Sequence, residues 1–403
     1  MLYRLVRTHL TPYAASLLVL LALQFVATIA SLYLPSLNGR IIDEGVAVGD
    51  TGFIMRAGGI MLAVSLVQIA ATIAATRIGA QAAASLGRDV RARVFHTVGG
   101  FSAQELSRFG APTLISRSTN DVTQVQTVVY MMLAMMVSAP IMMVGGIVMA
   151  IREDAGLSWL VAVAVPALAI AIGLVIRQMI PHFRAMQTAV DSVNRILREQ
   201  ITGIRVVRAF VREDVERERF AEANTTYTGT ALAVGKLMAL AFPIVMVIFN
   251  ASTVAVLWFG AQRIDTGAMQ IGALTAFMAY LIQILMSVMM ATFMAMMIPR
   301  ATVSAGRIQE VLDTQTSVHA PADPVAIPAG PVRVELRDVT FAYPDGPDVL
   351  KGIEVTIEPQ QRVAVVGETG SGKTTFAKLL TRLMDPTVGA VELGVPSGEW
   401  KDI

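Results

Sequence analysis

The sequence contains no cysteine. Disulfides, thiolate metal sites and cysteine nucleophiles are therefore excluded, and a reducing compartment fits that absence. Charge is scarce as well. Asp, Glu, Lys and Arg make up 15% of the 403 residues and apolar types 54%, whereas soluble domains carry about 25% charged residues. That balance points to a membrane protein. The net charge of +2 is too close to neutral to argue for nucleic acid, so no nucleic-acid partner is expected and the useful charge information is positional. The four histidines are scattered without metal-ligand spacing.

The scarcity of charge is concentrated. Lys, Arg, Asp and Glu are absent from six stretches, 10–39, 57–76, 122–151, 155–176, 237–262 and 266–299. Each reaches the roughly 20 residues that a helix needs to cross a bilayer. A charge at a span centre costs about 2.5–3.5 kcal/mol on insertion scales, and buried helices of soluble proteins are usually shorter and amphipathic. Six transmembrane helices are expected, at about 14–37, 56–76, 126–150, 157–178, 238–260 and 270–296. The first is too long for a cleavable signal and lacks its cleavage site. Ahead of it, Arg4 and Arg7 stand among Leu and Val, which suits either a short interfacial helix or a frayed terminus.

The gaps between spans alternate in length. The long ones, 77–121 and 177–236, hold 6 and 10 basic residues, against 2, 1 and 1 in the short ones. Positive residues stay on the cytoplasmic side, which places the N-terminus, both long gaps and the C-terminal segment in the cytoplasm of a multi-pass protein of the cell membrane. The long gaps read as helical continuations of the spans, with opposite charges three or four apart. Two helices of about 27 residues in the second long gap would reach roughly 40 Å from the membrane. Their tip falls in "GIRVVRAFVRED", and that of the first in "FSAQELSRFGAPTL", where Gly110 and Pro112 break helix.

After residue 312 the texture changes. Residues 313–331 are rich in proline and read as an extended linker. "VRVELRDVTFAY" alternates like a strand, "DGP" makes a turn, and "VLKGIEVTIEP" is a second arm. "QRVAVVG" is expected to be a buried strand that runs into Gly367-Glu368-Thr369-Gly370-Ser371-Gly372-Lys373-Thr374. That octapeptide fits G-x-x-x-x-G-K-[ST] in full, with a helix pattern after it. Gly367, Gly370 and Gly372 let the backbone curl so that successive N–H groups face phosphate oxygens, and the helix adds its positive end. Lys373 is assigned to the β- and γ-phosphates of ATP, Thr374 to Mg²⁺, and Thr375 to a further phosphate contact. Tyr343, at the end of the first strand, suits either stacking on a purine ring or packing.

Taken in order, these stretches resemble an ATP-binding cassette (ABC) exporter half-transporter of the multidrug and lipid type. "IIDEGVAVGD" resembles the family's first external loop, "LISRSTNDVTQV" its first intracellular loop and "GIRVVRAFVREDVERERF" its second coupling-helix region. "VELRDVTFAYP" resembles the entry strand whose aromatic contacts adenine, "GETGSGKTT" the Walker A loop, and "LLTRLMDPTVGAVEL" the segment after it. The resemblance implies a polytopic α-helical membrane protein: a six-helix transmembrane domain over 1–312, the linker at 313–331, and an incomplete α/β P-loop nucleotide-binding domain over 332–403. It implies that Tyr343 stacks on adenine. It also implies that the tips near 108–112 and 208–215 are coupling helices, and that the chain forms a homodimer or a heterodimer with another half-transporter.

The family's glutamine loop, L-S-G-G-Q helix, Walker B strand with its catalytic Glu, and switch His do not occur after Lys373 in these residues. The expectation is a C-terminally truncated half-transporter that grips ATP but holds no catalytic residue. Methionine clusters at 131–143 and 286–297 suit a promiscuous apolar surface or plain helix packing. With no charge in any span, the expected cargo is hydrophobic or amphipathic, a drug or a lipid. Gln24, Gln68 and Asn250 are candidates to line its cavity. Two rivals are a non-catalytic membrane subunit that regulates other half-transporters and a membrane-tethered NTPase. The second leaves the coupling-loop matches unexplained.

Overall fold

The computed structural model describes residues 1–135, 137–318, 331–344, 346–394 and 400–402. Most of the proline-rich linker therefore lies outside the described residues. Six helical runs are long and apolar enough to cross a membrane: Leu2–Val46, Thr51–Gly99, Ala111–Glu153, Ser158–Ala209, Glu213–Asp265 and Ile271–Asp313. The chain is a multi-pass membrane protein. Its helices are α1 (Leu2–Leu10), α2 (Ala14–Arg40), α3 (Thr51–Gly99), α4 (Ala103–Phe109), α5 (Ala111–Ser116), α6 (Val122–Met135), α7 (Ser138–Glu153), α8 (Ser158–Ala209), α9 (Glu213–Asp265) and α10 (Ile271–Asp313). The residues divide into two units, one of Pro12–Ala82 with Val129–Ile298, the other of Met1–Thr11, Ala83–Val128 and Pro299–Ile403.

The first unit is almost entirely helix. Its core gathers Leu32 from α2, Ala150 from α7, Leu168 from α8, Val256 from α9, and Phe277, Tyr280 and Ile284 from α10. A phenol in such a core needs an acceptor, and the Tyr280 hydroxyl donates to the Leu32 carbonyl at 2.7 Å. At the end of these helices where α2 meets α10, Gly39 and Gly272 pack backbone to backbone. A Cβ on Gly272 would sit 2.0 Å from the Gly39 carbonyl oxygen, while the Gly272 N–H donates to Asp43 Oδ1 at 2.6 Å. The buried Asp154 carboxylate accepts from Leu157 N–H at 2.8 Å and from Arg263 Nε at 2.9 Å, so it is both paired and hydrogen-bonded, as a buried charge must be.

One expectation for this unit changes. Gln24 does not line a cavity: it is buried and donates to the carbonyls of Leu133 and Ala134, which serves helix packing, because an apolar bundle gives a lone amide no water to bond. Among the methionines, Met142 and Met143 pack against the core, while Met286, Met290 and Met296 are exposed. The helical hairpin of α8 and α9 turns at 210–212, where "GIRVVRAFVRED" places it. Phe210 and Val211 stand 75% and 82% exposed there. Val211 has φ 52°, a conformation that β-branched residues avoid.

In the second unit, α1 is amphipathic, but its apolar face is not turned to a membrane. Leu2, Leu5 and Leu10 are buried, and Met1 Sδ lies 3.4 Å from where a Gly306 Cβ would stand. The leucines are covered by protein, and at the start of the helix Met1 lies against Gly306 of α10. Four strands form one antiparallel sheet in the order β2-β1-β3-β4, with β1 Arg333–Ala342, β2 Asp348–Ile357, β3 Val388–Gly394 and β4 Trp400–Asp402. Leu336, Val339, Phe341, Leu350 and Val391 of the sheet close over Phe376 and Leu379 of α11 (Lys373–Leu380). The expected buried strand at 363–366 is absent: these residues join no strand of the described sheet, and Val366 is 87% exposed. A valine run becomes a strand only by pairing and packing, and 363–366 pairs with none of the described strands.

Candidate nucleotide-binding site

The site is built on the start of α11. Its N-cap is Gly372, at φ 87° and without a side-chain cap. A helix start leaves its first N–H groups without intrahelical acceptors, so Lys373, Thr374 and Thr375 present donors and the positive helix end to the same space. Glycine is needed at 372 twice over. The left-handed conformation disfavours a side chain, and a Cβ would meet Leu350 Cδ2 of β2 at 2.9 Å.

The loop before it closes on itself. Gly370 has φ 92°, Ser371 N–H donates to the Glu368 carbonyl at 3.2 Å, and a Cβ on Gly367 would lie 2.6 Å from Ser371 Oγ. Lys373 turns back over the loop, and its Nζ donates to the carbonyls of Gly367 at 2.9 Å and Glu368 at 2.7 Å and to Ser371 Oγ at 3.4 Å. Neutral oxygens are weaker partners for an ammonium than anionic ones. An uncapped helix start beside a lysine held only by neutral oxygens fits a polyphosphate. Thr369 and Thr374 are exposed.

Tyr343 and Thr375 are brought together, which the sequence did not reveal. The Tyr343 and Thr375 hydroxyls are 3.1 Å apart, with Thr375 buried and Tyr343 38% exposed. The Tyr343 ring stands edge-on to Phe341, centroids 5.1 Å apart. The aromatic at the end of β1 is thus tied to the first turn of α11. Thr375 spends its hydroxyl on that tie.

A second feature joins this region to the helices. Ser102 and Glu105 form a capping box at the start of α4, the S-x-x-E pattern being legible in "FSAQEL". Glu105 also accepts from Ser317 N–H at 3.2 Å, and Ser102 Oγ lies 2.8 Å from Ser317 Oγ. Ala103 packs against the core of the sheet and α11. Burial opposes the Glu105 carboxylate, yet the hydrogen bonds from Ser102 and Ser317 outweigh it and hold its pKa below the ordinary value. Behind α4, Arg117 stacks over Phe109 at 4.9 Å and pairs with Glu310 of α10 at 2.8 Å. Ser304 of α10 donates to buried Asp121 at 2.9 Å.

Membrane-capable helices and a loop of the G-x-x-x-x-G-K-[ST] pattern on one chain mark a membrane protein with a nucleotide-binding segment. Comparison with known proteins makes this specific. Residues 17–288 match the ABC transporter transmembrane region and residues 350–400 the ABC transporter domain. The chain belongs to the ABC transporter family, whose members in general bind and hydrolyse ATP and whose half-transporters dimerise. It is similar to an ABC transporter ATP-binding protein of Mycobacterium tuberculosis, 48% identical over 97% of this chain and 68% of that relative. It is also similar to a fatty acid ABC transporter ATP-binding/permease protein of Mycobacterium bovis, 30% identical over 69% of this chain and 44% of the relative. A third relative is an ATP-dependent lipid A-core flippase of Syntrophus aciditrophicus, 27% identical over 75% of this chain and 50% of the relative.

Proposed function

We propose that this chain is one half of an ATP-driven exporter that moves hydrophobic or amphipathic compounds out across the cytoplasmic membrane, with its N-terminus and nucleotide-binding segment on the cytoplasmic side. The observation that carries the reading is the contact of α4 with the nucleotide-binding segment: Ala103 sits on the core behind α11, and Glu105 holds Ser317. A closure of the nucleotide-binding segment would therefore move α4, and with it the helix ends that α4 joins. Residues 1–312 form the transmembrane domain in this reading, 313–331 the linker and 332–403 the start of the nucleotide-binding domain.

Within the site, the backbone from Gly367 to Thr375, including Glu368, Thr369, Gly370, Ser371 and Gly372, cradles the phosphates. Lys373 exchanges its loop carbonyls for phosphate oxygens. Thr374 is the hydroxyl free to ligate Mg²⁺, since it makes no side-chain hydrogen bond among the described residues. Tyr343 offers its ring to adenine while Thr375 holds its hydroxyl. Bound ATP supplies the differential affinity that shifts the transporter between conformations. Hydrolysis needs, besides this grip, a group that positions the attacking water. The exposed tip at Phe210 and Val211 is assigned to the partner subunit's nucleotide-binding domain in a dimer. The names of the fatty acid and lipid A-core relatives support an acyl-chain cargo. The reading is tested by ATP binding to the purified chain: it requires binding that Lys373→Ala weakens about 10- to 100-fold, the weight of one or two charge-assisted hydrogen bonds. Nucleotide binding that is indifferent to Lys373 would reject it.

A further inference from the structure

The unit of Pro12–Ala82 and Val129–Ile298 contains a cavity of about 680 Å³ between α2 and α7. Its lining changes along its length. Ile29 and Leu32 of α2 and Val148 and Met149 of α7 make one end apolar. Arg40, Glu44, Arg152 and Glu153 make the other end charged. Residues three or four apart share one helix face, so each helix contributes a single stripe that runs from apolar to ionic. From Ile29 to Arg40 the helix rises by about 16 Å, which makes the cavity an elongated slot with a polar mouth.

The mouth has a specific charge arrangement. Arg40 and Glu44 pair with each other at 3.2 Å. Arg152 and Glu153 make no ion pair among the described residues. Arg152 is exposed and Glu153 half-buried. Glu153 accepts a hydrogen bond from the Ser36 side chain and lies near the Asp43 carboxylate, but neither neighbour is a cation, and a half-buried carboxylate beside another carboxylate gains most from one; the exposed Arg152 guanidinium beside it is open to an anion. An uncharged head would leave both unmatched. A purely anionic head would satisfy Arg152 and be repelled by Glu153.

We propose that this slot binds a zwitterionic amphiphile drawn from the bilayer. Its phosphate sits on Arg152, its ammonium at Glu153, and one hydrocarbon chain lies along Ile29, Leu32, Val148 and Met149. The site goes beyond the exporter reading, because occupancy needs neither nucleotide nor turnover, and failure here leaves that reading untouched.

The test uses the full chain, stripped of lipid in detergent and titrated under native mass spectrometry. The probes are short-chain phosphatidylethanolamine and, with the same chains, phosphatidic acid and diacylglycerol. Phosphatidylethanolamine should bind most tightly. Arg152→Ala should weaken it about tenfold, the weight of one charge-assisted hydrogen bond, and leave diacylglycerol unchanged. Glu153→Gln should weaken phosphatidylethanolamine but not phosphatidic acid. Val148→Trp, which fills the apolar end, should weaken all three. Equal binding of the three heads, tighter binding of phosphatidic acid than of phosphatidylethanolamine, or indifference to Val148→Trp would each overturn the assignment.

Discussion

At Lys373 and Gly372 the chemistry reduces to single atoms. The lysine is held by three oxygens of its own loop; in the proposed function Lys373→Ala removes a phosphate ligand together with these loop bonds. Gly372→Ala does the opposite. It forces a side chain into a left-handed conformation and against Leu350, and should cost about 1–3 kcal/mol, read as a lower melting temperature. Tyr343 separates two roles. Tyr343→Phe keeps a ring for adenine but loses the hydroxyl that meets Thr375, and should cost about 1 kcal/mol of stability with nucleotide affinity nearly intact. Tyr343→Ala should lower affinity as well, measured by fluorescent-nucleotide titration. The proposed phosphate grip rests on glycine, lysine and hydroxyl at fixed spacing, a local pattern that the sequence carries by itself. The Tyr343–Thr375 contact was not, since it joins residues of separate elements through a fold that neither segment encodes alone.

Among the elements, local signals and tertiary partners part company. The spans were legible because the absence of charge over 20 or more residues has one economical explanation. The capping box of α4 has an S-x-x-E signal that the sequence analysis did not use, and its consequence can be measured. The folded state lowers the pKa of Glu105, so the ionised carboxylate stabilises it. That stability is complete above the ordinary carboxylate range, about pH 4–5, and is lost as pH falls through the lowered folded value. The melting temperature of the wild type should therefore exceed that of Glu105→Gln at neutral pH, by the equivalent of about 1 kcal/mol, and the two should converge in acid. A difference that persists unchanged in acid would contradict the role given to the carboxylate. The N-terminal helix and residues 363–366 mark the limit of such reading. Amphipathicity says that α1 buries a face but not whether against lipid or protein, and β-propensity at 363–366 says nothing of a strand to pair with. Amide exchange should show 363–366 unprotected while 334–341 of β1, paired on both sides, stays protected.

For the molecule as a whole, the proposed function makes α4 the joint through which a nucleotide-dependent movement would reach the helices. It is fastened to Ser317 at one end and, through Arg117, to α10 at the other. In the same proposal, the second tip, with Phe210 and Val211 exposed on a strained turn, is the surface through which a partner subunit would feel that movement. The measurement that tests this account most directly is transport of a fluorescent long-chain acyl amphiphile in proteoliposomes that hold the partnered transporter containing this chain. The account predicts ATP-dependent movement that falls to background with Lys373→Ala. Movement at the same rate without ATP, or undiminished by Lys373→Ala, would contradict it.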